Sequence, residues 1–201
     1  MKSIFFRLMV ISLIITLFHN YLYAQTTIKD IDGNIYPTIK IGKQVWMAKN
    51  LAVKHYQNGE EIVSYCYHHD TTFCNVYGRL YPWESIVGGT KGDSLLDVCP
   101  INWHVPTDKE WDILIDTLGG QVYAGIKLRK GKKTNFKFQW GGNYQSELDV
   151  FSFIDRKVYF WSSTGYSRTS AWMRMTGSST KNINRSTVPK EFAFSIRCVK
   201  D

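Results

Sequence analysis

The sequence predicts a mixed α+β domain, and three observations carry that expectation. Turn-delimited β-rich runs open the chain, one capped amphipathic helix lies at its middle, and three strand-like runs close it. The helix is the best specified. Thr107 followed by Glu110 forms a capping box, in which the hydroxyl accepts from the Glu110 amide and the carboxylate accepts from the Thr107 amide. Trp111, Leu114, Ile115 and Leu118 recur on one helical face, whereas Asp108, Lys109, Asp112 and Asp116 fall off it. Gly119-Gly120 ends the run, since glycine takes the left-handed conformation after a helix without steric cost. A helix of about eleven residues does not persist alone in water. Its apolar stripe must dock.

Residues 1–24 read as a signal peptide rather than as part of the fold. Lys2 and Arg7 are the basic region, residues 8–18 the apolar region, and Leu22-Tyr23-Ala24 the cleavage site, with cleavage expected after Ala24. The apolar run is about half the length that a spanning helix needs, so no stable membrane span is expected, and no cysteine follows it to carry a lipid. Residues 25–201 then form a single domain. The expected location is secreted, periplasmic or cell-surface. Without Lys2 and Arg7 the chain keeps 23 basic residues against 17 acidic, a formal charge of +6. Scattered lysines and arginines without a long run read as a solvated surface, and no nucleic-acid partner is expected.

In chain order, residues 27–31 and 34–41 are β-rich and flank Asp32-Gly33, a tight-hairpin signal. Gly42-Lys43 makes a second turn before Gln44-Val45-Trp46-Met47, which gives an antiparallel meander. Asp30, Asp32 and Asn34 suggest a calcium loop, but its twelfth position would be Ile41 instead of a bidentate carboxylate, so the turn explains them. Residues 64–83 are dense in aromatics, and Cys66 and Cys74 enclose His68-His69-Asp70 in what reads as an exposed loop. Neighbouring histidines on an extended chain point opposite ways, and no metal site is expected. Residues 88–94 read as a polar connector, and residues 130–135 break any pattern. Residues 158–164, 171–175 and 192–199 are strands. Phe192, Phe194, Ile196 and Cys198 share one face of the last. The Ser/Thr/Asn-rich stretch 176–189 reads as an exposed loop.

Four cysteines in an exported chain favour disulfides over metal or redox chemistry. Three pairings are possible. The favoured one joins Cys66 to Cys74 locally and Cys99 to Cys198 across the domain.

Several of these stretches also resemble a known family. Residues 30–36, 41–51, 77–81, 99–108, 161–164 and 195–201, including Trp46-Met47-Ala48-Lys49-Asn50-Leu51, Tyr77-Gly78-Arg79-Leu80-Tyr81 and Ser195-Ile196-Arg197-Cys198-Val199, resemble the Fibrobacter succinogenes major paralogous domain. The family occurs in exported bacterial proteins. The run from Trp103 to Trp111 with the terminal Arg-Cys-Val is similar, more loosely, to formylglycine-generating enzymes and C-type lectin-like domains. That similarity implies a C-type lectin-like α+β fold with one or two short helices and a loop-rich half.

Site chemistry is sparse. A formylglycine-generating enzyme needs a reactive cysteine pair near its end, and only Cys198 lies there, on a core strand. The calcium-lectin triplets, a nucleophile elbow and a zinc helix are missing from the sequence. His104 flanks the helix start, where packing explains it. The expectation is therefore a non-catalytic binding module, with no cofactor, that meets a glycan or a cell-surface protein. Trp140, Asn143, Tyr144, Trp172, Arg174, Asn182 and Asn184 are its candidate ligand-binding residues, as stacking faces and hydrogen-bond forks. A structural or adhesive surface protein, or an enzyme with an unrecognised loop site, are the alternatives.

Overall fold

Strand pairing dominates the architecture. The computed structural model describes residues 27–88, 96–130 and 136–201. Its first part contains β1 (Thr27–Lys29), β2 (Ile35–Ile41), β3 (Gln44–Met47), α1 (Thr71–Tyr77), β4 (Tyr81–Pro82) and α2 (Trp83–Ile86). The middle holds β5 (Trp103–His104), α3 (Asp108–Thr117), α4 (Gln121–Lys130), β6 (Asn143–Gln145) and β7 (Val150–Ser152). The last part holds β8 (Lys157–Gly165), β9 (Ser170–Gly177), β10 (Asn184–Pro189), β11 (Phe192–Phe194) and β12 (Val199–Lys200). They form three sheets, in the orders β1-β2-β3-β12-β5, β10-β9-β8 and β4-β11-β6-β7. Every pairing between neighbouring strands is antiparallel.

Among the described residues this is a β-rich fold, with 36% strand, 23% helix and four short helices, and it corrects the expectation of an α+β, C-type lectin-like domain. The difference has a physical origin. Segments without a clean apolar alternation, such as the Ser/Thr/Asn-rich 184–189 and the Asn-Tyr-Gln run 143–145, become strands because a neighbouring edge supplies their backbone partners. The signal peptide expected at 1–24, most of the connector at 88–94 and most of the stretch at 130–135 lie outside the described residues.

Strand β8 explains the core. Its continuous apolar run reflects burial on both faces. Tyr159 and Trp161 pack with Tyr36, Met47, Phe194 and Ile196 in one cluster, while Val158 and Phe160 pack with Trp46, Trp111, Leu114 and Phe136 in the other. Helix α3 closes the second cluster with the stripe read from its sequence. Its capping box is present, with Glu110 N donating to Thr107 Oγ1 at 3.2 Å and Thr107 N donating to Glu110 Oε2 at 2.8 Å. Trp111 Nε1 donates to the Trp161 carbonyl at 3.2 Å, so the docked indole leaves no orphan donor.

The final predicted strand splits in two. Residues 192–194 pair in one sheet and residues 199–200 in another, yet Phe192, Phe194, Ile196 and Cys198 all pack on the same cluster. Strand β12 lies between β3 and β5, with Val199 opposite both Trp46 and His104. That position brings Cys198 to Cys99, and the bond between them is formed, as is Cys66–Cys74. The loop closed by the second bond is not an open one: residues 67–69 form a 3-10 turn followed by α1, and both of its sulfurs are buried. His68, His69 and Asp70 do remain exposed.

Candidate functional site

The turn between β1 and β2 builds one wall of a cavity of about 520 Å³. Asp30 fixes the turn from within, accepting from the Asn34 backbone amide at 2.9 Å, its side-chain amide at 2.8 Å and the Tyr36 hydroxyl at 2.5 Å. Those acceptors are spent on the turn. Asp32, at the tip, reaches across to the next segment. Its Oδ2 accepts from Lys54 N at 2.5 Å, and its Oδ1 pairs with His55 Nδ1 at 2.5 Å. Partial burial pushes its carboxyl upward, but the bonds from His55 and Lys54 outweigh burial and hold it below the usual range.

The opposite wall is α1 and the chain that follows it. Asp70 starts this helix by accepting from Thr72 N at 2.8 Å, and the helix then presents Thr71 and Asn75 to the cavity. Gly78, at φ +77, follows it. A Cβ there would lie 2.7 Å from the Leu51 carbonyl oxygen, so only glycine lets the 50–51 segment pass this close. Arg79 is pinned beside it: Nε donates to Ser64 Oγ at 2.7 Å, Nη2 to the Ser64 carbonyl at 3.2 Å, and Nη1 lies 3.4 Å and 3.6 Å from the Cys66 and Cys74 sulfurs. No carboxylate among the described residues pairs with Arg79. Lys49 and Lys54 complete the lining. Neither ammonium, nor the Thr71 hydroxyl, nor the Asn75 side-chain amide has a hydrogen-bond partner among the described residues.

Such a lining can bind and orient. It offers donors of two kinds, charged and neutral, around a space of the size that small-molecule sites occupy. No hydroxyl or thiol among the described residues is hydrogen-bonded to His55, and the Cys74 sulfur is held in its disulfide. A nucleophile with an adjacent base is therefore not assembled there.

A second cavity, of about 470 Å³, lies beside β5 and β12. Most of its polar side chains, those of Gln57, Asp97, His104 and Asp201, are already paired. His104 bridges Glu110, at 2.8 Å from Nε2, and Asp201, at 2.5 Å from Nδ1, while Asp97 accepts from Cys99 N at 2.8 Å. The Glu110 bond raises the His104 pKa to about 9 against the downward push of burial, with Asp201 adding to it. Burial pushes the Glu110 carboxyl up, but bonds from His104 and Thr107 bring it down to about 2. The His104 contribution to stability is complete below its unfolded value near pH 6.5 and is lost as pH rises through about 9. The Glu110 contribution is complete above pH 4.5 and is lost as pH falls toward about 2. Thermal melts against pH are expected to plateau between these limits and to decline on both sides. His104→Gln should flatten the alkaline limb; an unchanged limb would remove the bridge as its cause.

None of the seven residues singled out from the sequence lines the first cavity. Arg174 is fully buried beneath α3, donating to Asp108 Oδ1 at 2.5 Å and Asp112 Oδ1 at 2.7 Å. Asn143 and Tyr144 are buried, the latter in a third aromatic cluster with Tyr67 and Leu80. Trp140 packs half-buried on the second core cluster beside Phe138. Asn182 and Asn184 bond to each other at 2.6 Å near the start of β10. Trp172 is half-buried, with the Arg185 guanidinium 3.2 Å over its ring and Tyr166 edge-on at 5.0 Å. Trp172, Arg174, Asn182 and Asn184 all lie on the β9–β10 hairpin, and none of the seven lines either of the two cavities.

The cavity residues escaped the sequence reading because each had a local role there, in a turn, a strand exit or a helix. One signal was present. Asp32, Asn34, Tyr36, Lys49 and Arg79 all lie in the stretches that carry the family resemblance.

Comparison with curated proteins and with solved structures returned no match. The sequence model of the Fibrobacter succinogenes major domain matches residues 39–200, which include β3 to β12, both disulfides and most of the cavity lining. With that span covering most of the sequence, the chain belongs to the Fibrobacter succinogenes major domain family.

Proposed function

We propose that this chain is an exported, non-catalytic binding module of the cell envelope or surface, and that it holds a glycan in the cavity between the first turn and α1. One observation carries the reading: four polar side chains, Lys49, Lys54, Thr71 and Asn75, converge on a single cavity with no partner among the described residues. Groups placed this way are available to a ligand without breaking an internal bond. Export is supported by the two disulfides, which leave no free cysteine among the described residues and suit an oxidising compartment. No helix among the described residues is long and apolar enough to cross a membrane.

The test is a glycan array probed with the purified protein. Binding is expected, and it should be lost in the double variant Thr71→Ala/Asn75→Ala at an unchanged melting temperature. No binding to any glycan or to envelope extract would overturn the reading. A second reading, a surface-protein contact through the β9–β10 hairpin, is favoured by the Tyr166, Trp172 and Arg185 stack on its outer face. Aromatic and arginine side chains of this kind anchor protein interfaces. Under that reading Trp172→Ala abolishes capture of an envelope protein and leaves the glycan array unchanged.

A further inference from the structure

Resting on the proposed binding function, we infer that the cavity selects an acidic saccharide, one that carries a carboxylate or sulfate among its hydroxyls. The charge balance of the lining points there first. Lys49, Lys54 and Arg79 face a single carboxylate, Asp32, and both Asp32 oxygens are already engaged by Lys54 N and His55. Three cations against one carboxylate leave the lining net positive, and neither Asp32 oxygen pairs with any of the three cationic groups. Arg79 is held by Ser64 and sits against the disulfide, so its charge is fixed in place before any ligand arrives. A mobile surface lysine would lose more entropy on binding.

The rest of the lining separates a sugar from other anions. Ala52 supplies the only aliphatic side chain apart from the disulfide, and the Tyr36 ring is fully buried with its hydroxyl given to Asp30. A nucleotide base would find only the His55 imidazole, already paired with Asp32, and the pinned Arg79 guanidinium as faces, and an apolar peptide side chain only Ala52 and the disulfide to pack against. The Thr71 hydroxyl and the Asn75 and Asn34 side chains instead offer neutral hydrogen-bonding groups of the kind that match ring hydroxyls. The cavity thus pairs a charged end with a hydroxyl-reading end.

Calorimetric titration of the purified protein with trigalacturonate, a sulfated heparin trisaccharide and neutral cellotriose, each at low and high salt, tests this. At least one acidic ligand is expected to bind, at least tenfold more tightly than cellotriose, and to weaken as salt rises, because the attraction is partly exposed and screened. Preference between the two acidic ligands identifies the anionic group. Lys49→Gln and Lys54→Gln should each weaken acidic binding by about tenfold, the scale of one charge-assisted hydrogen bond. Lys54 is exposed, so its variant keeps the fold even if Lys49→Gln does not. Val122→Ala, an exposed position of α4 outside the cavity, should bind like the parent. Equal binding of cellotriose, or lysine variants that bind as the parent does, would overturn the acidic specificity while leaving the binding function standing. No binding of any of the three, together with a blank array, would remove both.

Discussion

Replacing Cys99 and Cys198 together by alanine, with Cys66–Cys74 left intact, is expected to lower the unfolding free energy by about 4–5 kcal/mol in the chain-entropy account of cross-links. The bond closes a loop with a sequence separation of 99, and opening it releases the largest constraint on the unfolded chain. For a chain of this size the change corresponds to a melting temperature lower by roughly 10–15 °C. The comparison that tests the cause is internal. Cys66–Cys74 spans a separation of only 8 and should contribute about 2–3 kcal/mol on the same account. Denaturant unfolding of the two double variants measures both. Equal losses would mean that loop closure is not what sets the difference, and that packing around the buried Cys99 and Cys198 side chains has to be considered instead.

Replacing Arg197 by methionine is the second large effect, expected to cost about 3–5 kcal/mol, because it takes the donor from three oxygen acceptors at once. Its guanidinium is fully buried and pairs with no carboxylate among the described residues. Nε donates to Asn50 Oδ1 at 2.7 Å, Nη1 to the Met47 carbonyl at 3.2 Å and Nη2 to the Lys137 carbonyl, while the cation lies 4.4 Å from the Phe136 ring centre. Methionine fills a similar volume but leaves the buried Asn50 and Met47 oxygens without a donor, each worth about 1–3 kcal/mol, and the partly buried Lys137 carbonyl as well. Urea unfolding reads the loss, and Arg197→Lys, which keeps the charge but not the planar fork, should recover only part of it. A cost below about 1 kcal/mol would mean that water reaches those acceptors.

Much of the hydrophobic and covalent framework was legible in the sequence. The capping box with its Trp111 to Leu118 stripe and the meander from β1 to β3 follow from local signals, a hydroxyl three residues before a carboxylate and a turn dipeptide, while the even set of cysteines pointed to disulfides and the favoured one of three possible pairings is the one formed. Strands β6, β7 and β10 were not legible, because their composition reads as loop and their identity is settled by the edge they meet. That failure to see tertiary pairing is what made the fold class wrong. The cavity was hidden for a related reason. Asp32, Lys49, Thr71 and Arg79 come from four separate segments, and nothing within any one segment states that the other three will face it. Asn50 shows the same kind of convergence. It donates to the Tyr77 carbonyl at 2.8 Å and to Ser195 Oγ at 3.1 Å while accepting from Arg197, so it joins stretches of the family pattern that are up to 147 residues apart.

The insertion of β12 between β3 and β5 also orders events in time. The five-stranded sheet stays split into two halves until residue 199 is available, since neither half pairs with the other except through that strand. A chain threaded through a narrow pore from its amino end would hence leave this sheet incomplete until residue 199 is through. The delay is the kinetic counterpart of long-range topology: slow to complete, and well suited to passage before folding.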